Sequence, residues 1–159
     1  MGTTDPPRAA PRVVDRLERR VLRYDRPLTR ADFERVPLPD GKAELLDGQV
    51  IVMSRNEWHG AVQAHVGYLL KRWDYARARR AGARPGRVVT DTSYGVVAAD
   101  DPQRSRAPDV AYTRPERLSG PPVPGHPRAH PDLAVEVPGL STDRELQEKR
   151  AEYLSLIHI

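Results

Sequence analysis

The sequence predicts a single domain of the mixed α/β class, in which a mixed β-sheet is flanked by helices and begins with an N-terminal hairpin. Its 159 residues are enough for one ordinary domain with a core, and few for two. One Asp-Gly pair marks a tight hairpin turn at residues 47–48. Beyond it, two long segments with helical periodicity enclose three short segments rich in Val, Tyr and Thr. The predicted order is therefore hairpin, helix, strand, strand, strand, helix.

The N-terminal segment, residues 1–26, is rich in proline and arginine and has little apolar periodicity. We expect it to be disordered or weakly helical, and we expect the folded domain to run from residue 27 to residue 159. That domain opens with "PLTRADFERVP", in which Thr29 is a suitable N-cap for a short helix and Pro37 ends it.

The segment "KAELLDGQVIVM" predicts a hairpin, because Asp47 and Gly48 both tolerate the positive φ angles of a two-residue turn. Alternation with a period of two places Glu44 and Leu46 on one face of its first strand. This hairpin therefore carries a carboxylate on a defined face.

A long amphipathic helix follows, from about Trp58 to Arg80, with Ser54 or Asn56 as its N-cap. We expect an apolar stripe of this helix to lie on the sheet. The residues of that stripe are Val62, Val66, Leu69, Leu70, Trp73 and Ala76.

Two further strands are predicted in "GRVVTDTSYGVVAAD" and "APDVAYT", joined by the polar turn "DDPQRSR". A third lies in "PDLAVEVPGL", where Leu133, Val135 and Val137 alternate as a buried face. Ala134 and Glu136 then share the opposite face, so a carboxylate lies within an apolar strand. Such a charge is normally paired, solvated or bound to a metal.

The closing helix is predicted in "STDRELQEKRAEYL", with Thr142 and Glu145 forming a capping box at its start. Its inward stripe contains Leu146, Lys149, Tyr153 and Leu154 at helical spacing. A lysine on that stripe is costly unless a carboxylate pairs with it.

The composition excludes several classes of protein. The chain has no cysteine, so disulfide frameworks and thiolate metal sites are excluded, and any metal must bind oxygen or imidazole. No apolar run is long enough to cross a bilayer and no signal peptide is recognisable, so we expect a soluble, cytoplasmic protein without a membrane partner. A net charge of +4 gives weak support for a phosphate-bearing partner. Lysine occurs only at positions 42, 71 and 149, so each lysine is informative.

Two carboxylates and one inward lysine form the constellation most suited to chemistry. Asp109 opens a strand, Glu136 lies on the less apolar face of another, and Lys149 lies on the inward stripe of the closing helix. Two carboxylates with open coordination positions suit Mg²⁺. Such a metal polarises a phosphodiester and acidifies a bound water, while a lysine orients or deprotonates the nucleophile. These residues indicate hydrolysis of nucleic acid.

The chain contains six motifs in order, over about residues 27–154: "LTRADFERVP", "AELLDGQVIVM", "WHGAVQAHVGYLL", "RAPDVAYT", "PDLAVEV" and "DRELQEKRAEYL". Together they resemble the Uma-two (Uma2) family of restriction endonucleases, within the PD-(D/E)XK nuclease superfamily. The resemblance implies a restriction-endonuclease-like core and a magnesium-dependent endonuclease that acts on DNA. It assigns Asp109 and Glu136 as metal ligands, Lys149 as a lysine moved from strand to helix, and Glu44 as an accessory acid.

The chain departs from the pattern of the family at three places: the lysine position, the turn after the strand of Glu136, which here reads "PGLS", and the C-terminus. The usual lysine position of the superfamily, two residues after the second acid, holds Pro138, which makes Lys149 important. Family members continue past the last helix into a Trp-containing strand, whereas this chain ends at "LSLIHI". We therefore expect a truncated, incomplete C-terminus and an exposed sheet edge.

Each candidate also has a purely structural interpretation. Asp109 could make a turn hydrogen bond, Glu136 could face water, and Lys149 could extend its amine to solvent. Glu44 could pair with a cation on a neighbouring strand. His59 lies at the start of the long helix. A lone histidine in such a position is more often packed in the core or part of the helix cap, so His59 is left outside the predicted catalytic set.

Two functions remain open from the sequence. The first is a magnesium-dependent endonuclease acting on DNA, for which a homodimer is a usual way to cut both strands. The second is a catalytically inactive nucleic-acid-binding or interaction module, a relic of a nuclease, whose binding would survive the loss of both acids. Metal-dependent nicking of DNA separates the two.

Overall fold

The computed structural model describes residues 12–16, 19–38, 42–53, 56–95, 103–122, 130–139 and 143–157. In chain order the elements are β1 (Arg12–Arg16), β2 (Arg19–Arg23), α1 (Arg30–Phe33), β3 (Lys42–Leu46), β4 (Gln49–Met53), α2 (Glu57–Ala81), β5 (Arg87–Thr90), β6 (Tyr94–Gly95), β7 (Ser105–Arg106), β8 (Val110–Thr113), β9 (Leu133–Val135) and α3 (Asp143–Ile157). The mixed α/β class, the hairpin and the flanking helices are confirmed.

The described strands form two antiparallel sheets, where the sequence predicts one mixed sheet. The larger has the order β1-β2-β4-β3-β7-β6, and the smaller has the order β5-β8-β9. The division arises at Asp91, whose φ of 54° ends β5. Because left-handed backbone interrupts an extended strand, β6 departs and pairs with β7 in the other sheet. The single strand predicted for this segment is therefore two short strands.

Residues 12–16 and 19–23 are strands, where the sequence predicts disorder or weak helix. β2 pairs with β4, and this register places Leu22 opposite Val50, both of them buried. The prediction failed because the partner strand, rather than any local pattern, satisfies the backbone of this segment. Residues 1–11 lie outside the described part of the chain, so the expectation of disorder there stays a prediction.

The hairpin of β3 and β4 is confirmed. Leu46 pairs with Gln49, and the turn residues Asp47 and Gly48 have φ angles of 48° and 73°. A Cβ atom at Gly48 would lie 2.5 Å from the Cβ of Pro27, so a side chain is excluded there. This tight turn fixes the register of β3, and with it the face that carries Glu44.

A hydrophobic core forms between the larger sheet and α1. Thr29 caps α1 as predicted, in a reciprocal capping box with Asp32. The buried residues of this core are Leu22, Leu28, Phe33, Val36, Leu45, Val50 and Val52. The core holds β3 rigidly from the side opposite to its polar residues.

Helix α2 begins and ends within a residue of its predicted bounds, with Asn56 as its N-cap. Its orientation differs from the prediction, because Leu69 and Trp73 of the expected stripe are exposed. The face that packs on the sheet instead buries Gln63 and Asp74. Polar contacts rather than apolar area therefore set the rotation of this helix.

Helix α3 is confirmed, and its inward face buries Lys149 and Tyr153. Leu154 of the expected inward stripe is exposed instead. The predicted capping residue Thr142 lies outside the described residues, as do Ser54 and residues 123–129. Across the described helices, none combines the length and apolar composition that a membrane span requires.

Candidate active site

Two carboxylates face each other just beyond β8 and β9. The antiparallel register pairs Val110 with Val135, so Asp109 and Glu136 occupy the next facing position. Asp109 is 0% exposed, and its Oδ2 accepts a hydrogen bond of 2.7 Å from the backbone N–H of Val137. Like charges at facing positions of a ladder repel each other. The pair therefore needs a cation between its members.

Lys42 supplies that cation from the start of β3. Its Nζ lies 2.8 Å from Asp109 Oδ1 and 3.6 Å from Glu136 Oε2. Only 3% of the Lys42 side chain is exposed, so these carboxylates replace the water that the ammonium loses on burial. The two acids predicted as metal ligands therefore share one buried ammonium.

Helix α3 closes the site over Glu136. Lys149 and Tyr153 lie one turn apart on its inward face. Lys149 Nζ lies 3.2 Å from Glu136 Oε2 and 3.3 Å from Glu44 Oε1. The Tyr153 hydroxyl donates to Glu136 Oε1, and burial together with the charge of Glu136 raises the pKa of Tyr153. Tyr153 therefore remains a hydrogen-bond donor across the physiological pH range.

Arg106 on β7 extends the network away from the two facing acids. Its Nη1 lies 3.0 Å from Glu44 Oε2, and its Nε contacts Glu152 on α3. Glu152 also accepts a hydrogen bond of 2.7 Å from Arg104 Nη1. The cluster therefore alternates carboxylates with cations and joins β3, β7 and α3.

The first turn of α2 brings His59 to Asp109. Asn56 caps the helix by accepting a hydrogen bond of 2.8 Å from the backbone N–H of His59. One turn later, Gln63 donates to the backbone carbonyl of Asp109 at 2.7 Å and to Asp91 at 2.8 Å. His59 Nε2 then lies 3.1 Å from Asp109 Oδ1. Within the described residues, this buried nitrogen has no aligned hydrogen-bond partner.

Neighbouring cations keep two of the carboxyls ionised. Burial alone would raise the pKa of Asp109, but the charge of Lys42 and its hydrogen bond outweigh burial, so this pKa lies below its ordinary value. Burial would likewise raise the pKa of Glu44. The charges of Lys149, Arg106 and Lys42 outweigh burial, so this pKa also lies below its ordinary value. Both acids are therefore carboxylates at neutral pH.

The lowered pKa of Glu44 predicts a dependence of stability on pH. A carboxyl whose pKa is lower in the folded state stabilises the protein above its unfolded pKa, ordinarily 4.5, and this contribution is lost as pH falls further. We expect Glu44→Gln to lower the free energy of unfolding by about 1–3 kcal/mol at pH 7 and to flatten its decline below pH 4.5. Urea unfolding from pH 7 to pH 3 measures both effects.

The exposed residue Glu57 provides the control for this experiment. We expect the Glu57→Gln variant to keep the wild-type pH profile, because its carboxyl lies in solvent at the start of α2. If the free energy of unfolding of Glu44→Gln fell as steeply below pH 4.5 as that of the wild type, Glu44 would not be the source of this pH dependence.

The cluster is accessible from one side. A cleft of about 230 Å³ between β9 and α3 is lined by residues that include Glu136, Lys149 and Tyr153. A larger cleft of about 500 Å³, beside the second half of α2, contains none of the predicted site residues. In the part of the chain that the structure describes, no three His, Asp or Glu side chains are grouped as a ready metal site.

The four residues predicted from the sequence lie in this one cluster. Lys149 and Glu44 are in direct contact, Glu136 contacts Lys149, and Asp109 is joined to Glu136 through Lys42. Their catalytic and metal-binding roles stay predictions. Glu136 follows β9 instead of lying within it, and the apolar Leu133 of that strand is 38% exposed.

Several members of the cluster were not predicted, among them Lys42, His59, Arg106, Tyr153 and Glu152. The sequence carried a signal for Lys42, because it alternates with Glu44 and is one of three lysines. Tyr153 shares the predicted inward stripe with Lys149. Arg106 falls in a segment predicted as a polar turn, and no local signal distinguishes it from the other arginines.

Comparison with known proteins identifies a family. The model of the Uma2 family, described as "Putative restriction endonuclease", matches residues 30–157. This range runs from the first residue of α1 to the last residue of α3 and includes every member of the cluster. Searches of curated proteins and of solved structures gave no match.

Proposed function

The chain belongs to the Uma2 restriction-endonuclease family, and from this membership we propose that it is a divalent-metal-dependent endonuclease that hydrolyses phosphodiester bonds of DNA. The family suggests nuclease activity and DNA as the substrate, and restriction-endonuclease-like families generally use divalent cations. Dependence on Mg²⁺ and hydrolysis of DNA by this chain are parts of the proposal.

The observation that carries the proposal is the facing pair of Asp109 and Glu136. The ammonium of Lys42 bridges the two carboxylates, with Nζ 2.8 Å from Asp109 Oδ1 and 3.6 Å from Glu136 Oε2. Carboxylates held this way at strand ends form a rigid position in which a cation, the ammonium of Lys42, already lies. A buried charge cluster adds little to stability compared with apolar packing, which favours a functional reason for it.

The carboxylate oxygens of the cluster are donors of the kind that a hard divalent cation takes. Asp109 and Glu136 would hold it through oxygen atoms, the ligands that Mg²⁺ and Mn²⁺ prefer. When bound, such a cation polarises the scissile phosphodiester and lowers the pKa of a bound water.

The remaining residues of the cluster orient the attacking water, offset charge on the phosphate and hold the two acids in place. Lys149, which contacts Glu136 and Glu44, orients the attacking water and offsets the negative charge that develops on the phosphate. Lys42, which contacts both facing acids, also offsets the negative charge that develops on the phosphate. Tyr153 holds the carboxylate of Glu136 in one orientation through its hydroxyl. Glu44 keeps Lys149 in position.

Nicking of supercoiled plasmid DNA tests the proposal. We expect the full chain to convert supercoiled to open-circular DNA with Mg²⁺ or Mn²⁺ present and to stop on addition of EDTA. We expect Glu136→Gln to reduce the rate by about a hundredfold, since it removes one metal-binding charge while the single amide oxygen can still accept from Tyr153.

Glu116→Gln is the matched control, because Glu116 is exposed and lies beyond the opposite end of β8 from Asp109. It should nick at the wild-type rate, whereas a contaminating nuclease would be insensitive to both substitutions. Activity that resists EDTA, or full activity in Glu136→Gln, would refute the proposal. DNA binding without nicking, retained after loss of both acids, would support an inactive nucleic-acid-binding module instead.

A further inference from the structure

The outward face of α2 carries tyrosine rings that alternate with arginines. The members of this row follow one another at intervals of four, three and four residues, and they are Tyr68, Arg72, Tyr75 and Arg79. Such spacing places them along one side of the helix, and we call the row the α2 stripe. All four side chains are exposed, the two tyrosines by 59% and 55%. Aromatic rings left in solvent at regular spacing indicate a surface that a partner covers.

A cleft of about 500 Å³ opens beside the α2 stripe. Tyr75 lines it from α2, together with the cations Lys71 and Arg84. The loop that follows β8 forms the opposite wall, where the Arg87 guanidinium donates to the carbonyl of Gly120. The volume falls within the range of small-ligand pockets, so the cleft can receive one unit of a longer molecule.

This surface is strongly positive. Residues 58–90 contain seven lysines and arginines against a single acid, Asp74. Asp74 is 1% exposed, and its carboxylate accepts hydrogen bonds from Arg77 at 2.9 Å and from Tyr112 at 2.8 Å. Within the part of the chain that the structure describes, the exposed cations of the stripe and the cleft contact no acid. Their charge therefore attracts a partner that is negative along its length.

The α2 stripe and its cleft are separate from the acid cluster. Successive side chains of β8 point to opposite faces of the smaller sheet. Tyr112 contacts α2, whereas its neighbour Ala111 packs with Tyr153 of α3. The two helices therefore cover opposite faces, and Tyr75 lies about 24 Å along α2 from His59. A molecule bound at the stripe does not occupy the position of the two facing acids.

We propose that the α2 stripe and its cleft form a second binding site, for single-stranded nucleic acid. Bases stack on Tyr68 and Tyr75, because every base has a π face that an aromatic ring can cover. The phosphates pair with Lys71, with Arg84 and with the arginines of the stripe. The two rings are about 10 Å apart along the helix axis, so each receives a different base of one strand. A duplex keeps its bases stacked inside, where rings on a helix surface do not reach them.

This second site goes beyond the proposed function and does not depend on it, because binding there needs neither a metal nor the facing acids. Fluorescence anisotropy of a fluorescein-labelled oligothymidylate tests it, with the full chain in EDTA to prevent metal-dependent cleavage. We expect Tyr75→Ala to raise the Kd about tenfold. Tyr75→Phe should keep the wild-type Kd, because it retains the ring on which a base stacks.

The salt dependence of binding tests the cations of the cleft. The double substitution Lys71→Gln with Arg84→Gln removes two phosphate contacts. The slope of log K against log salt should then fall in magnitude by about 1.4, at about 0.7 for each phosphate of a single strand. Arg23→Gln is the matched control, since Arg23 is exposed on β2 of the larger sheet, and its slope should equal that of the wild type.

Leu69→Ala controls for truncation of an exposed side chain on α2, and it should bind with the wild-type Kd. A charge variant that binds more weakly while Tyr75→Ala binds normally would show attraction by charge alone and would overturn the inference. Tighter binding of a duplex than of the single strand, or no binding of oligothymidylate, would overturn it as well. Glu136→Gln should bind oligothymidylate as the wild type does, so failure of this inference is distinct from failure of the proposed function, which nicking measures.

Discussion

Replacing Lys42 with methionine is expected to lower the free energy of unfolding by about 3–5 kcal/mol. Methionine keeps the length and apolar stem of lysine but removes the ammonium that Asp109 and Glu136 share at 2.8 Å and 3.6 Å. Asp109, with only 1% of its side chain exposed, is then a buried carboxylate facing another carboxylate. Urea unfolding at pH 7 measures the loss.

Lys71→Met is the control for this effect. Lys71 is exposed on α2, so its replacement should change stability by no more than about 0.5 kcal/mol. The difference in free energy of unfolding between Lys42→Met and wild type should also narrow as pH falls, because without Lys42 burial raises the pKa of Asp109 and its protonation removes the unpaired charge. A loss below about 1 kcal/mol for Lys42→Met would mean that the ammonium does not bridge the two acids.

Replacing Arg106 with methionine is expected to have a similar cost, about 3–5 kcal/mol. Its guanidinium joins Glu44 on β3 to Glu152 on α3, and 6% of the side chain is exposed. Its removal leaves Glu44, which is 2% exposed, with less compensation and releases one attachment of α3. Unfolding by urea gives the cost, and amide hydrogen exchange shows whether α3 opens more often.

Arg104 provides a control that shares one partner with Arg106. Arg104 also pairs with Glu152, but 34% of its side chain is exposed and its other partner, Asp47, is largely in solvent. A partly solvated pair contributes at most about 1 kcal/mol, so Arg104→Met should cost much less. Equal costs for the two variants would show that burial does not determine the strength of these ion pairs.

Much of this fold is local in origin and was predicted. The Asp47-Gly48 turn requires only its own positive φ angles, and Thr29 caps α1 through a residue three positions away. Asp109, Glu136 and Lys149 were predicted from alternation and helical spacing, together with the family resemblance. These signals suffice where the residues that decide a feature are neighbours in sequence.

Other features depended on distant partners and were missed. β2 forms because β4 offers it a free edge, and the sheet divides where Asp91 takes a positive φ. The rotation of α2 is fixed by Gln63 and by Asp74, which accepts hydrogen bonds from Tyr112 and Gly86. No local period encodes such contacts.

The sequence by itself determined which side chains were available for chemistry: acids at strand ends, an inward lysine on the last helix, and no cysteine. Only the tertiary structure decided how they combine, because the pairing of Lys42 with Asp109 spans 67 positions of the chain. The same holds for His59, which reaches Asp109 only when α2 packs on the smaller sheet. Charge compensation in a buried site is a property of three-dimensional neighbours, so the pattern of one strand or helix cannot specify it.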